Sequence, residues 1–136
     1  MGVSLFINGS SLEIGSASFL KSFFSTIYFH LVTPETKNKY PKLFTDLYNG
    51  HVKWEDAQEI QDNLEDIREA FKNFDPDKVV WDIDDLSKSP PWGSDISARV
   101  TSMANYFVTS RGKDLFEELF DALARSKEMK EDIYLK

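Results

Sequence analysis

The sequence predicts a single α+β domain spanning residues 1–136, a small and mainly antiparallel sheet with helices packed on one face. Three observations lead there. Asn8-Gly9 parts two short apolar runs near the amino terminus, and both residues tolerate the positive φ that a tight hairpin needs. Two long stretches, 53–73 and 113–130, carry apolar residues at helical spacing. Short runs of branched and aromatic residues at 78–83, 105–109 and 133–135 suit a pleated surface. At 136 residues the chain is long enough to bury a core without a disulfide or a metal.

The elements follow in order. Val3-Ser4-Leu5-Phe6-Ile7 and Leu12-Glu13-Ile14 are the arms of the hairpin. Ser16 or Ser18 caps a first helix, in which Phe19, Leu20, Phe23, Phe24, Ile27 and Leu31 form a wide stripe that must face a core. Thr33-Pro34 stops it, because the residue before proline is pushed out of the helical region. A short helix over 41–48 carries Leu43, Phe44, Leu47 and Tyr48 and ends at Asn49-Gly50.

The helix at 53–73 is the clearest element. Ile60, Leu64, Ile67, Phe71 and Phe74 recur with spacings of 4, 3, 4 and 3, one buried stripe. Glu55, Glu59, Asp62, Asp66 and Glu69 repeat with the same spacings on a nearly opposite face, which places them in solvent. Asp75-Pro76-Asp77 then turns the chain into the run Lys78 to Ile83, read as a strand. Ser89-Pro90-Pro91-Trp92-Gly93 is stiff and extended. A turn of helix at 97–103 and a strand at 105–109 lead to the last helix. Its core face is Leu115, Phe116, Leu119, Phe120, Ala122 and Leu123, and Arg125, Lys127 and Lys130 suit the negative end of its dipole. Ile133-Tyr134-Leu135 closes the chain as a strand. Eleven phenylalanines predict a phenylalanine-rich core.

Composition narrows the function. There is no cysteine, which removes disulfides, thiolate metal sites and cysteine nucleophiles and suits a reducing compartment. The amino terminus has no basic segment followed by a long apolar run, and no stretch approaches the roughly 20 apolar residues of a membrane helix. A cytoplasmic protein with no membrane association is expected. The net charge of −7 is unevenly placed: residues 53–85 hold 12 carboxylates against Lys53, Arg68, Lys72 and Lys78, a balance of −8 that leaves the rest of the chain at +1. Such a field repels nucleic acid and attracts basic partners.

No phosphate-binding loop, nucleophile elbow or paired-histidine metal motif occurs, so neither an enzyme nor a cofactor is expected. His30 reads as a helix-surface or satisfied core histidine. Asp82, Asp84 and Asp85 have three readings: caps of local turns, contacts to a partner, or a metal or acid/base site. The calcium-loop pattern fails there, for want of its glycine and closing glutamate. Trp92 is either a core plug, burying roughly 200 Å², or an exposed anchor on a stiff loop. Trp81 poses the same choice, and Trp54 sits at the edge of either surface.

Three blocks carry a further signal: SFLKSFFSTI on the first helix, KVVWDIDDLSKSPPWG in the centre and NYFVTSRGKDLFEELFDAL towards the end. In collinear order they resemble bacterial immunity proteins of polymorphic toxin systems, and the immunity protein 70 family in particular. The resemblance implies a non-catalytic cytoplasmic protein that binds one cognate toxin domain and blocks it. It brings no set of toxin-contacting residues. The contact residues expected from the sequence itself are Glu55, Glu59, Asp62, Asp66 and Glu69 for steering, Asp82, Asp84 and Asp85 for pairing with lysine or arginine, and Trp92 as an aromatic anchor. The rival readings are an acidic adaptor for some other basic protein and a metal-dependent enzyme built on Asp82, Asp84 and His51.

Overall fold

The computed structural model describes residues 2–35, 39–90 and 99–136. Its sheet has four strands, β1 (Gly2–Ile7), β2 (Ser10–Ser16), β3 (His51–Val52) and β4 (Ile133–Leu135), in the order β2-β1-β4-β3 with every pairing antiparallel. The β1–β2 hairpin turns on Asn8 and Gly9, both at positive φ (47° and 80°), as the dipeptide demands. Its register shifts by one residue between Val3 and Ser4, so Ile14 bulges from β2 and buries its side chain completely. The carboxyl-terminal strand fills the gap between β1 and β3. β1 and β3 are thus joined through β4, whereas β1 and β2 pair directly.

Three helices cover one face: α1 (Ala17–Leu31), α2 (Ala57–Phe71) and α3 (Leu115–Met129). Ser16, the last residue of β2, is the cap of α1; its hydroxyl accepts the Phe19 amide at 3.1 Å. Asp114 caps α3 in the same way through the Glu117 amide. At the other end of α3, Lys130 takes a left-handed conformation and Ser126 Oγ donates to the Glu131 carbonyl at 2.6 Å, which turns the chain directly into β4.

The pleat sends Leu5, Ile7, Ile14, Val52, Ile133 and Leu135 inward and leaves Tyr134 and His51 outside, stacked at 4.6 Å. Within, Phe23 of α1, Phe116 of α3 and Phe107 of the preceding loop meet edge to face at 5.2–5.3 Å, and Phe71 of α2 adds a further T-shaped contact to Phe116. The core is phenylalanine-rich, as the composition predicts. Each of these rings contributes about 1.5–3 kcal/mol by burial alone, and their edge-to-face geometry adds to that.

Two expected strands are absent. Residues 78–83 run from a short 3-10 turn at Pro76–Lys78 into irregular backbone lying along α1. Val80 is satisfied there by side chains instead of by a neighbouring strand. Its carbonyl accepts from Ser22 Oγ (2.8 Å), its amide donates to Thr26 Oγ1 (3.0 Å), and the Ile83 amide donates to Ser25 Oγ (3.1 Å). A row of hydroxyls on a helix has taken the place of a β partner.

Residues 105–109 also fail to join the sheet. A 3-10 turn capped by Ser102 occupies Met103–Asn105, and the chain then doubles back at once through Gly112, with a single bridge between Val108 and Asp114. Ser110 links it to β2 twice, its amide to the Ile14 carbonyl at 2.9 Å and its hydroxyl to Glu13 Oε1 at 2.6 Å. The short helix expected at 41–48 is present but wide, a π-helical turn over Leu43–Leu47 that the Tyr48 amide closes on the Leu43 carbonyl.

Candidate partner-binding surface

α2 is positioned by its buried stripe, Ala57, Ile60, Leu64, Ile67 and Phe71, and by Arg68, whose guanidinium reaches Glu117 of α3 at 2.8 Å and covers the Phe120 ring. That register turns Glu59, Asp62, Asp66 and Glu69 into solvent together; Glu55 is exposed too, but in a 3-10 turn at Trp54–Asp56, because the helix expected from 53 begins at Ala57. The five are not equivalent. Asp66 accepts the Tyr40 hydroxyl at 2.7 Å and faces Lys39 at 3.4 Å; the hydroxyl first, and the lysine after it, hold its carboxyl below the ordinary carboxylate range. Asp62 accepts from Gln58, and Glu69 pairs with Lys72 at 2.8 Å. Glu55 and Glu59 make no hydrogen bond or ion pair among the described residues.

The second predicted group lies on the loop that α1 holds. Asp82 has only 14% of its side chain exposed and is used within the protein: Oδ1 accepts the Asp84 amide at 2.9 Å, and Lys21 and Lys88 approach at 3.2 and 3.7 Å. The backbone bond first, then Lys21, hold its carboxyl below the usual range. Asp85 accepts both the hydroxyl and the amide of Ser87, which lower it likewise. These are turn-forming roles. Asp84 differs: Lys21 Nζ touches its Oδ2 at 2.9 Å, yet 76% of its side chain is exposed.

These carboxylates do not gather around a metal. His51 is engaged elsewhere, with its Nε2 2.9 Å from Asp132, and no group of three or more histidine and carboxylate side chains is arranged to hold an ion among the described residues. His30 is a satisfied histidine, with Nε2 2.7 Å from the Lys78 carbonyl and its ring against Phe74. Trp81 and Trp54 are half-buried, and the Lys130 ammonium sits over the Trp54 ring. Trp92 lies outside the described residues.

The segment between α1 and β3 joins the two acidic groups. Tyr40 reaches the α2 stripe, while Phe44 and Tyr48 turn the other way, towards α1 and the loop that carries Asp84. There they border a crevice of about 350 Å³ with Phe24, Tyr28 and Asp84. Sequence reasoning passed over Tyr28. The signal was present: Ile27, Tyr28 and Phe29 are consecutive, and three successive apolar residues on a helix cannot all point into one core.

No helix among the described residues is long and apolar enough to cross a membrane. Neither the curated proteins nor the solved structures yield a match to this chain. A family model does: the one described as immunity protein 70 matches residues 3–135.

Proposed function

The chain belongs to the immunity protein 70 family, and from that premise we propose that it protects a bacterial cell by binding a cognate toxin domain in the cytoplasm and covering its active site. An immunity protein has a toxin as its partner; which toxin, and through which face, is our own reading. The observation that carries it is the acidic face of α2, where Glu59, Asp62, Asp66 and Glu69 share one register with Glu55 exposed in the 3-10 turn just before it, and the Glu55 and Glu59 side chains have no partner among the described residues. A toxin that cuts nucleic acid must hold phosphates with lysine and arginine around its catalytic centre. The α2 face complements such a surface and speeds encounter with it. Asp84, exposed on the loop that α1 holds, supplies direct pairing, and Asp85 beside it adds to the local negative field.

The test is co-expression with the toxin domain encoded immediately upstream, scored by growth and by co-purification. Restored growth together with a tight complex that weakens with salt is the expected result. Neither rescue nor complex would overturn the reading. A stable complex with a different basic protein, without protection from the toxin, would assign the chain as an adaptor instead.

A further inference from the structure

Two pairs of aromatic side chains four residues apart build the crevice beside Asp84. Phe24 and Tyr28 share one face of α1, and Phe44 and Tyr48 share one face of the helical segment at 41–48. The pairs interlock: Phe24 meets Tyr48 edge to face at 4.9 Å, and Tyr28 meets Phe44 at 6.0 Å with the rings 87° apart. Phe24 is buried, whereas Tyr28 and Tyr48 are 52% and 47% exposed. Neither tyrosine hydroxyl makes a hydrogen bond among the described residues. The far wall is Ile83 and Asp84, fixed by the Ser25–Ile83 hydrogen bond and by Lys21. Lys21 holds Asp84 Oδ2, and Oδ1 has no partner among the described residues.

We propose that this crevice receives a single cationic side chain, an arginine or a lysine, presented by the toxin. The inference rests on the immunity reading above and names the contact that would anchor the complex. The chemistry of the walls selects the occupant. Ring faces attract a cation through their quadrupole. A carboxylate oxygen at the rim accepts its N–H groups, and arginine combines a flat apolar body with that donor set. An acidic side chain would meet Asp84 in repulsion. A purely apolar one would leave Oδ1 desolvated and unpaired. Half-exposed tyrosines packed on buried or half-buried phenylalanines are also a residue type enriched at the energetic centre of interfaces.

The experiment measures association and dissociation of the upstream-encoded toxin domain with the parent and with Tyr28→Ala, Tyr48→Ala and Asp84→Asn, alongside an arginine- and lysine-to-alanine scan of the toxin. Each tyrosine truncation should raise Kd about 30-fold, through faster dissociation. Asp84→Asn, at an exposed position that packs against little, should also weaken binding and keeps the test alive should a tyrosine variant fold poorly. Tyr28→Phe and Tyr48→Phe should bind within a few-fold of the parent, on the order of the weak effect of a lone exposed hydroxyl. One cationic toxin residue should lose its effect on Kd in the Tyr48→Ala background. Parent-like binding by both tyrosine variants and by Asp84→Asn overturns the inference, as does coupling of Tyr48 to an apolar or acidic toxin residue. Those outcomes leave the immunity reading standing. If the parent itself neither binds nor protects, that reading falls and takes this one with it.

Discussion

The Val80 amide donates to Thr26 Oγ1 at 3.0 Å, across 54 positions of sequence, and through this contact a loop is docked on a helix. Thr26 Oγ1 also lies 2.8 Å from the Ser22 carbonyl and 3.1 Å from the Val80 carbonyl, so its own hydrogen is shared back. Ser22, Ser25 and Thr26 are all buried on α1. The loop backbone gives the Ser22 and Ser25 hydroxyls their partners, and without those hydroxyls and Thr26 the loop would have unpaired backbone. Each half completes the other.

Thr26→Val keeps the shape and removes the hydroxyl. Ser22 Oγ still serves the Val80 carbonyl, but the Val80 amide loses its acceptor, which costs about 1–3 kcal/mol. Urea unfolding at neutral pH measures the loss, and Thr26→Ser should recover most of it. A Thr26→Ser variant as unstable as Thr26→Val would place the effect in packing.

Gly50 stands at φ 90°, and a Cβ there would lie 2.5 Å from the Leu135 carbonyl oxygen. Its own carbonyl accepts the Leu135 amide at 2.9 Å, so the close approach is what seats β4 beside β3. Gly9 also has positive φ but open space around it. Gly9→Ala should therefore cost only the backbone strain, about 1–3 kcal/mol, and Gly50→Ala clearly more. Equal losses would mean that the Leu135 contact is easily relieved. Faster amide exchange at Leu135 in Gly50→Ala alone is the local signature.

Tyr40 and Asp66 tie stability to pH. A carboxyl lowered from its ordinary 3.8 in the fold contributes stability that is present above that value and lost as pH falls through the lower one. Asp66, Asp82, Asp85 and Asp132 all act in this direction, whereas burial raises Asp114, whose contribution is present at acid pH and lost on the way up. Tyr40→Phe removes the donor that lowers Asp66 most. Its stability deficit against the parent should shrink as pH falls through 3.8 and below, read from urea midpoints at about pH 7, 5 and 3. A gap that stays constant would show that the Tyr40 hydroxyl does not couple to Asp66. At the alkaline end, burial first and Asp66 second raise the Tyr40 phenol above its ordinary 10.0, so its contribution is lost as pH rises beyond that value.

Glu59 and Asp62 are the acidic residues of α2 to reverse, because among the described residues the first side chain has no partner and the second meets only Gln58. Reversing Asp66 would break its contacts to Tyr40 and Lys39 and confuse stability with binding. Glu59→Lys with Asp62→Lys should slow toxin association on the order of tenfold at low salt and flatten its salt dependence. Unchanged rates would mean that this face is merely solvated.

The helices and the hairpin were readable because each depends on neighbours along the chain. The 4-3-4 spacing of Ile60, Leu64, Ile67 and Phe71 dictates which face of α2 is buried and, with no further information, that Glu59 to Glu69 stand opposite. Asn8-Gly9 sets its turn through its own φ angles, and Ser16 reaches a backbone amide only three residues on. Family membership was legible for the same reason, in collinear blocks of the chain itself. The run at 78–83 misled because propensity reports how well side chains fit a pleated surface, not what its amides will find. Their acceptors are hydroxyls on α1, and the only local sign was three polar residues inside an apolar helix. The crevice at Tyr28 and Tyr48 is a further step removed. It exists because two aromatic pairs and Asp84, from three separate segments, converge. The sequence determined the periodic faces, the turns and the concentration of charge, since these follow from local geometry. Only the tertiary structure decided which carboxylates meet partners from other segments, as Asp66 does with Tyr40 and Lys39 and Asp82 and Asp84 do with Lys21, because those groups are brought within 3–4 Å by the packing and not by chain neighbours.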